Sequence, residues 1–330
     1  MVAEIPILNQ RSDTVTVPSP FSLLKPNRSF AAPREPERKM QYLLRSCAGI
    51  PEAEPLTSGP LWQAEFFALS RAEKFQQLDQ LAKKKLLHRC GLNLLREAQL
   101  IEMAGSVYTA KMVLLAEEQA QRELYSYFAA DEARHLRLIT DLIGAPDYQF
   151  SKNPFFDYLS LLIQEESRLP LVFVIQVLLE GWGIHHYGNL ASASTQPRVT
   201  DVFRSILHDE GKHHGSGLIL FDESALTEEE FVRCGQALKF FVEIIRIGPV
   251  SVAQELAKVA SPWCLRTLEA HLRQIDFQGK VRSELELIRS LLKRAKAHRL
   301  LAQATQENLF LVPNANAGAE KMMAIFGGQG

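Results

Sequence analysis

Asp131-Glu132-Ala133-Arg134-His135 and Asp209-Glu210-Gly211-Lys212-His213 are two versions of one five-residue pattern. On a helix, a Glu and a His three positions apart project from the same face, so each run offers a carboxylate and an imidazole to a single point. A carboxylate-bridged two-metal site inside a four-helix bundle takes Glu-x-x-His from each of two helices and a lone Glu from each of the other two. Lone glutamates stand at matching distances: the interval from Glu102 to Glu132 is identical to the interval from Glu180 to Glu210. The chain therefore reads as two copies of one half-site.

A repeated interval of this length has a physical meaning if each half is an antiparallel helical hairpin. Two arms of about 15 residues, rising about 1.5 Å each, return the second Glu to the level of the first. The turns should then fall at the midpoints. Near residue 195, Ser192-Ala193-Ser194-Thr195-Gln196-Pro197 supplies a helix breaker. Near residue 117, Leu115-Ala116-Glu117-Glu118-Gln119 has neither Gly nor Pro, so that turn is expected on geometry alone.

These residues resemble the ligand set of the ferritin-like di-iron carboxylate superfamily, which includes multicomponent monooxygenases, ribonucleotide reductase small subunits and acyl desaturases. The resemblance covers about residues 85–220 and rests on Glu102, Glu132, His135, Glu180, Glu210 and His213. The doubled Asp-Glu-x-(Arg/Lys)-His form is more specific than Glu-x-x-His alone. It implies an all-α, ferritin-like four-helix bundle, here with additional N- and C-terminal helices. It also implies that Asp131 and Asp209 orient the ligand histidines through hydrogen bonds, with the basic residue of each motif in the same network.

Composition sets the frame. The chain has 330 residues, 46% hydrophobic and 23% charged, enough to bury a large core. A net charge of −1 gives no electrostatic reason to expect nucleic acid or an anionic membrane. Cys47, Cys90, Cys234 and Cys264 are widely spaced and form no C-x-x-C pair, as isolated thiols of a reducing compartment would be. No run approaches 18 uncharged apolar residues and no signal-peptide layout opens the chain, so a cytoplasmic protein with no membrane span is expected.

In chain order, residues 1–62 hold nine of the 16 prolines and read as an extended segment. An organelle transit peptide would suit so Ser- and Pro-rich a start, but Glu4 and Asp13 count against it. The di-metal bundle is expected over 63–222, opened by a packing helix from Gln63 to Leu81. Four core helices follow, over Lys83–Leu115, Gln119–Ile143, Phe155–Leu190 with a kink or break at Pro170, and Val199–Phe221. Glu97 is the substitute for Glu102 as a ligand, and His208 and His214 are weaker extra ligands.

Tyr125 shares a face with Glu132, and Tyr187 with Glu180, so both are candidates beside the site as well as ordinary core tyrosines. Gly105, Gly181 and Gly183 lie close to ligands and either leave room for dioxygen and substrate or permit close helix packing. A C-terminal helical extension is expected over 223–312, with Thr227-Glu228-Glu229-Glu230 as a capping box, and a flexible tail over 313–330.

Four carboxylates and two imidazoles make an oxygen-rich site that suits iron or manganese better than zinc or copper. The carboxylates balance the four charges of two divalent ions. The family likeness specifies two iron ions, with manganese as the alternative, and O2 as oxidant. The expected function is a di-iron oxygenase or oxidase acting on a small, largely apolar organic substrate. No flavin, nicotinamide or iron–sulfur signature appears, so electrons would come from an external reductase or ferredoxin, and a homodimer is allowed. The rivals are a peroxide-handling protein of the rubrerythrin or manganese-catalase type, an iron-storage cage, and a metal-free helical scaffold.

Overall fold

The computed structural model describes residues 35–49, 56, 59–144, 154–260 and 264–326. Their regular structure is all-α, with one isolated antiparallel bridge between Trp62 and Ser194. In chain order the helices are α1 (Glu35–Ala48), α2 (Glu73–Gln76), α3 (Gln80–Leu115), α4 (Gln119–Ile143), α5 (Pro154–Glu165) and α6 (Arg168–Leu171). A π-helical stretch, Val172–Leu179, runs on into α7 (Glu180–Ala193). Then follow α8 (Pro197–Leu220), α9 (Glu228–Ile247), α10 (Val250–Ala260), α11 (Leu265–Gln274), α12 (Phe277–Arg294), α13 (His298–Gln306) and α14 (Ala315–Phe326).

The chain divides into two compact units. One holds α1, the part of α3 from Leu94 onward, α4, α5 and α6; the other holds 59–93 and everything described from Val172 onward.

In the first unit, α3 and α4 form the expected hairpin, with its turn at Ala116–Glu118. No Gly or Pro makes this turn; Arg122, in the first turn of α4, donates back to the carbonyls of Ala116 (2.9 Å) and Val113 (3.3 Å) at the end of α3. Those carbonyls would otherwise lack intrahelical partners. At its far end α4 stops at Gly144, whose positive φ of 60° suits the left-handed cap. The buried residues of α4 are Tyr125, Phe128, Glu132, His135 and Ile139, the face read from the sequence, together with Leu142 and Ile143.

The expected third core helix is broken. The break falls at Glu166 and Ser167, ahead of Pro170, which sits in the first turns of α6 where a missing N–H costs little. Lys111 explains the position: its ammonium donates to the carbonyls of Ile163, Gln164 and Glu166 at 2.8, 2.9 and 2.8 Å and so caps the end of α5. Burial pushes the Lys111 pKa down, while Glu166 and Glu165 pull it back up.

In the second unit, α7 and α8 form the other hairpin, turning at 194–196 with Pro197 at the start of α8. This turn is strapped. Trp62, fully buried against Phe66 and Phe203, donates its indole N–H to the Leu190 carbonyl at 2.9 Å. The Thr195 N–H bonds the Leu61 carbonyl at 3.0 Å. Further on, the C-terminal extension packs on the hairpin: Trp182 of α7 donates to Glu284 of α12 at 2.5 Å, and Leu291 of α12 fills the space beside Gly181.

Several sequence expectations need correction. Residues 35–48 of the supposedly extended segment are helical, because Pro36 lies in the first turn and no proline interrupts the rest; residues 1–34 lie outside the described set. Gln63–Leu81 is not one helix. It is a turn, a 3-10 turn at Leu69–Arg71 and the single turn of α2, interrupted at Ala68, whose φ is 55°.

Within the C-terminal extension the chain divides into α12 and α13 at Lys296, φ 54°, and the buried Glu223 carboxylate caps α13 through the N–H groups of Arg299 and Leu300 at 2.9 Å each. The expected flexible tail contains α14, started by the Asn314 side chain accepting from Ala317 N–H at 2.9 Å and anchored by buried Ala315, Ala319 and Met322. Residues 327–330, read as frayed, lie outside the described set.

By length and composition Arg168–Ala193 is apolar enough to cross a membrane, at a mean hydropathy of 1.3. That window is 67% buried in the protein, as a core helix would be. The four cysteines are free thiols.

Candidate metal centre

In the α3–α4 hairpin, Glu102, Glu132 and His135 are 1%, 4% and 0% exposed. Each presents a ligand atom within 4.8 Å of the others, and His135 Nδ1 lies 3.2 Å from Glu102 Oε2. Glu97, the substitute candidate, is only half-buried, so the inward carboxylate of α3 is Glu102. One turn along α3, Gly105 makes the arrangement possible. A Cβ there would lie 2.6 Å from Cδ of Glu132, closer than real Cβ contacts come. The space of the missing side chain is thus occupied by the Glu132 carboxylate and is not an opening.

Burial works against charge on His135, but the hydrogen bond and charge of Glu102, with the charge of Glu132, outweigh it and raise its pKa above the usual value.

In the α7–α8 hairpin, Glu180, Glu210 and His213 are 8%, 5% and 0% exposed. His213 Nδ1 lies 4.0 Å from Glu180 Oε1 and 3.9 Å from Glu210 Oε1. Glu180 is the first α-helical residue after the π-helical stretch. That stretch is fastened to α8 through one residue: Gln176 donates from Nε2 to the His213 carbonyl at 3.0 Å and to Ser216 Oγ at 2.8 Å. Its backbone carbonyl lies 2.9 Å from His214 Nδ1. The two backbones meet there, since a Cβ on Gly217 would lie 3.1 Å from the carbonyl carbon of Gln176.

The remaining candidates are placed as follows. Asp209 is buried and pairs with Lys212 at 2.8 Å; Asp131 is half-buried with Arg134 at 3.9 Å. Each aspartate thus pairs with the basic residue of its own motif. Tyr125 sits edge-on between Tyr108 and Phe128, and Tyr187 packs on Phe203, positions that a core aromatic takes. His208 is exposed. His214 is buried; burial pushes its pKa down, the Gln176 carbonyl partly restores it, and its Nδ1–H is the donor to that carbonyl. It serves the π-helical stretch.

His186 stacks on Trp182 at 4.6 Å, its pKa pushed down to about 3 by burial, Lys280 and His185. Gly181 is filled by His214 and Leu291, whereas Gly183 faces open space. The π-helical stretch and its Gln176 fastening were not read from the sequence; the closest signals were Pro170 upstream and the glycines beside Glu180.

No family model, curated protein or solved structure matches the chain. The site's own chemistry carries the argument. Taking a carboxylate out of water costs several kcal/mol, on the order given by ion-desolvation measurements, unless a positive partner offsets it. Glu102, Glu132, Glu180 and Glu210 are all at least nine-tenths buried, each beside an imidazole or a second carboxylate. That donor set fits hard or intermediate divalent ions: oxygen-rich, with one imidazole in each half.

Proposed function

We propose that the two half-sites hold two metal ions and that the protein is a non-haem di-iron oxygenase or oxidase of the ferritin-like kind. Glu102, Glu132 and His135 would hold one ion, and Glu180, Glu210 and His213 the other. The observation that carries this reading is the duplication itself. Two hairpins of the same spacing each bury two glutamates and one histidine, with the histidine turned towards a glutamate in both.

A pair of iron ions held there would supply electrons to dioxygen and an oxidising centre for an organic substrate. The chain's own residues do the rest. The four carboxylates match the charge of two divalent ions, the imidazoles fix the ion positions, and the buried face of each hairpin keeps water from the charged groups. Asp131 and Asp209, each paired with its basic partner, would orient the ligand histidines as the family resemblance implies. The substrate is a small, largely apolar molecule, and electrons come from a separate donor in a reducing cytoplasm.

The test is metal content per chain after anaerobic Fe(II) loading, followed by oxygen uptake. About two irons and oxygen consumption support the reading. Two manganese ions with peroxide turnover and no oxygen uptake would replace it with peroxide chemistry, and a chain that takes up no metal would overturn it.

A further inference from the structure

The π-helical stretch Val172–Leu179 ends where the ligand Glu180 begins. A π-turn carries one more residue than an α-turn, so it shifts every later side chain around the helix axis, and it survives only where surrounding contacts hold it. Those contacts converge on Gln176. Its side-chain amide reaches the His213 carbonyl (3.0 Å) and Ser216 Oγ (2.8 Å), and its own carbonyl receives His214 Nδ1 (2.9 Å). Ser216 Oγ in turn donates to the His213 carbonyl at 2.8 Å, so the backbone of a ligand histidine sits inside this network. Gln176 itself is fully buried. Gly217 supplies the fit: an added Cβ would lie 2.5 Å from Gln176 Cβ and 3.3 Å from its Cα.

We propose that Gln176 is a positioning residue for the metal centre: it locks the π-helical stretch to α8 and thereby sets the distance between Glu180 and His213. The inference rests on the di-metal reading. Just ahead of Glu180 in the chain, Gln176 governs the azimuth of that ligand; across the helix pair, its amide fixes the main chain that carries His213. In the α3–α4 half-site the cross-helix glutamine is Gln99, whose Nε2 donates to Thr140 Oγ1 at 2.8 Å and not to the main chain of His135, and both helices there are regular. Loss of the lock therefore affects one metal position and leaves the other as it was.

The experiment is titration of the full metal-free chain with Co(II), reading stoichiometry, affinity and the visible ligand-field bands. In wild type, two ions bind. In Gln176→Met, which keeps the volume but loses the amide, one ion binds as in wild type and the second binds about 10–100-fold more weakly with altered bands, the range seen when a residue supporting a ligand is lost. Gly217→Ala, which presses the helices apart, and Ser216→Ala, which removes one partner, shift the same ion in the same direction. Trp62→Phe removes a buried hydrogen bond from the same unit and leaves both ions and their bands unchanged.

Wild-type binding of two ions together with unaltered affinity and bands in Gln176→Met overturns the positioning role while leaving the di-metal reading intact. A wild-type chain that binds no Co(II) overturns both. Should Gln176→Met lose its helicity, Ser216→Ala and Gly217→Ala decide, and unchanged binding in both overturns the role.

Discussion

In the α3–α4 half-site, Glu102 and His135 approach to 3.2 Å and both ligand helices are regular; in the α7–α8 half-site, Glu180 and His213 stand 4.0 Å apart and a π-helical stretch leads into the glutamate. The two share a motif, one interval between their glutamates and near-complete burial. They differ in how the backbone delivers the lone Glu. In the first, one missing Cβ at Gly105 admits the opposing carboxylate. In the second, a widened helical turn is held against α8 by side-chain hydrogen bonds. A spacing rule can thus place ligands at the right level of two helices while the last ångström is set by means the rule does not contain.

The largest effect should come from removing a ligand on either side. Glu132→Ala and His213→Ala are each expected to lose at least one metal ion while keeping their helicity by circular dichroism; two ions retained in both would end the assignment. Next comes the contrast between glycines. Gly105→Ala drives a methyl into the Glu132 carboxylate and should weaken metal binding by about 10-fold or more, judged by supporting-residue losses. Gly183→Ala meets nothing within 4 Å, so affinity should hold and the helix should gain up to about 1 kcal/mol. Equal metal affinities in the two variants would show that Gly105 is not a ligand cradle.

Acidity should separate the metal-free and metal-loaded forms. The folded-state pKa of His135 is raised, so its protonated pair with Glu102 stabilises the metal-free chain below the unfolded pKa of about 6.5, and this contribution disappears as pH rises through the folded value. Metal needs the neutral ring. The rise in melting temperature on adding metal should therefore grow as pH climbs from about 6.5 through the folded value. A metal-induced rise that is flat across that range would contradict the sign.

The smallest effect belongs to the scaffold: Lys111→Met leaves the carbonyls of Ile163, Gln164 and Glu166 without their donor and should cost about 2 kcal/mol in urea unfolding, with metal content unchanged. Loss of metal in that variant would mean the break at Glu166 serves the site and not only the fold.

Much of this was legible because it depends on local periodicity. The turn at 194–196 was announced by Ser and Pro, the end of α4 by Gly144, and the capping box of α9 by Thr227 and Glu230, whose reciprocal bonds are present at 3.2 and 3.0 Å. The buried state of the four glutamates followed from the faces on which they fall. What escaped depends on partners distant in sequence. The break before Pro170 is placed by Lys111, whose bond to the Glu166 carbonyl has a sequence separation of 55. The cap of α13 comes from Glu223, at a separation of 76 from Arg299. The π-helical stretch leaves no periodic mark, since Val172–Leu179 is buried on every side and shows no polar face to count. Two helices were missed despite a local signal: α1, where Pro36 falls in the first turn, and α14, where Asn314 is an ordinary helix start.

The strap over the α7–α8 turn also bears on the order of folding. The bond from Trp62 to Leu190 has a sequence separation of 128, whereas the paired glutamates of each hairpin are far closer along the chain. With a hairpin loop about a quarter as long, the logarithmic cost of loop closure adds a penalty of about 1.3 kcal/mol to the strap. Hairpin formation thus precedes closure of the strap in the entropic ranking, and burial of the Trp62 indole marks a chain whose distant segments have already found each other.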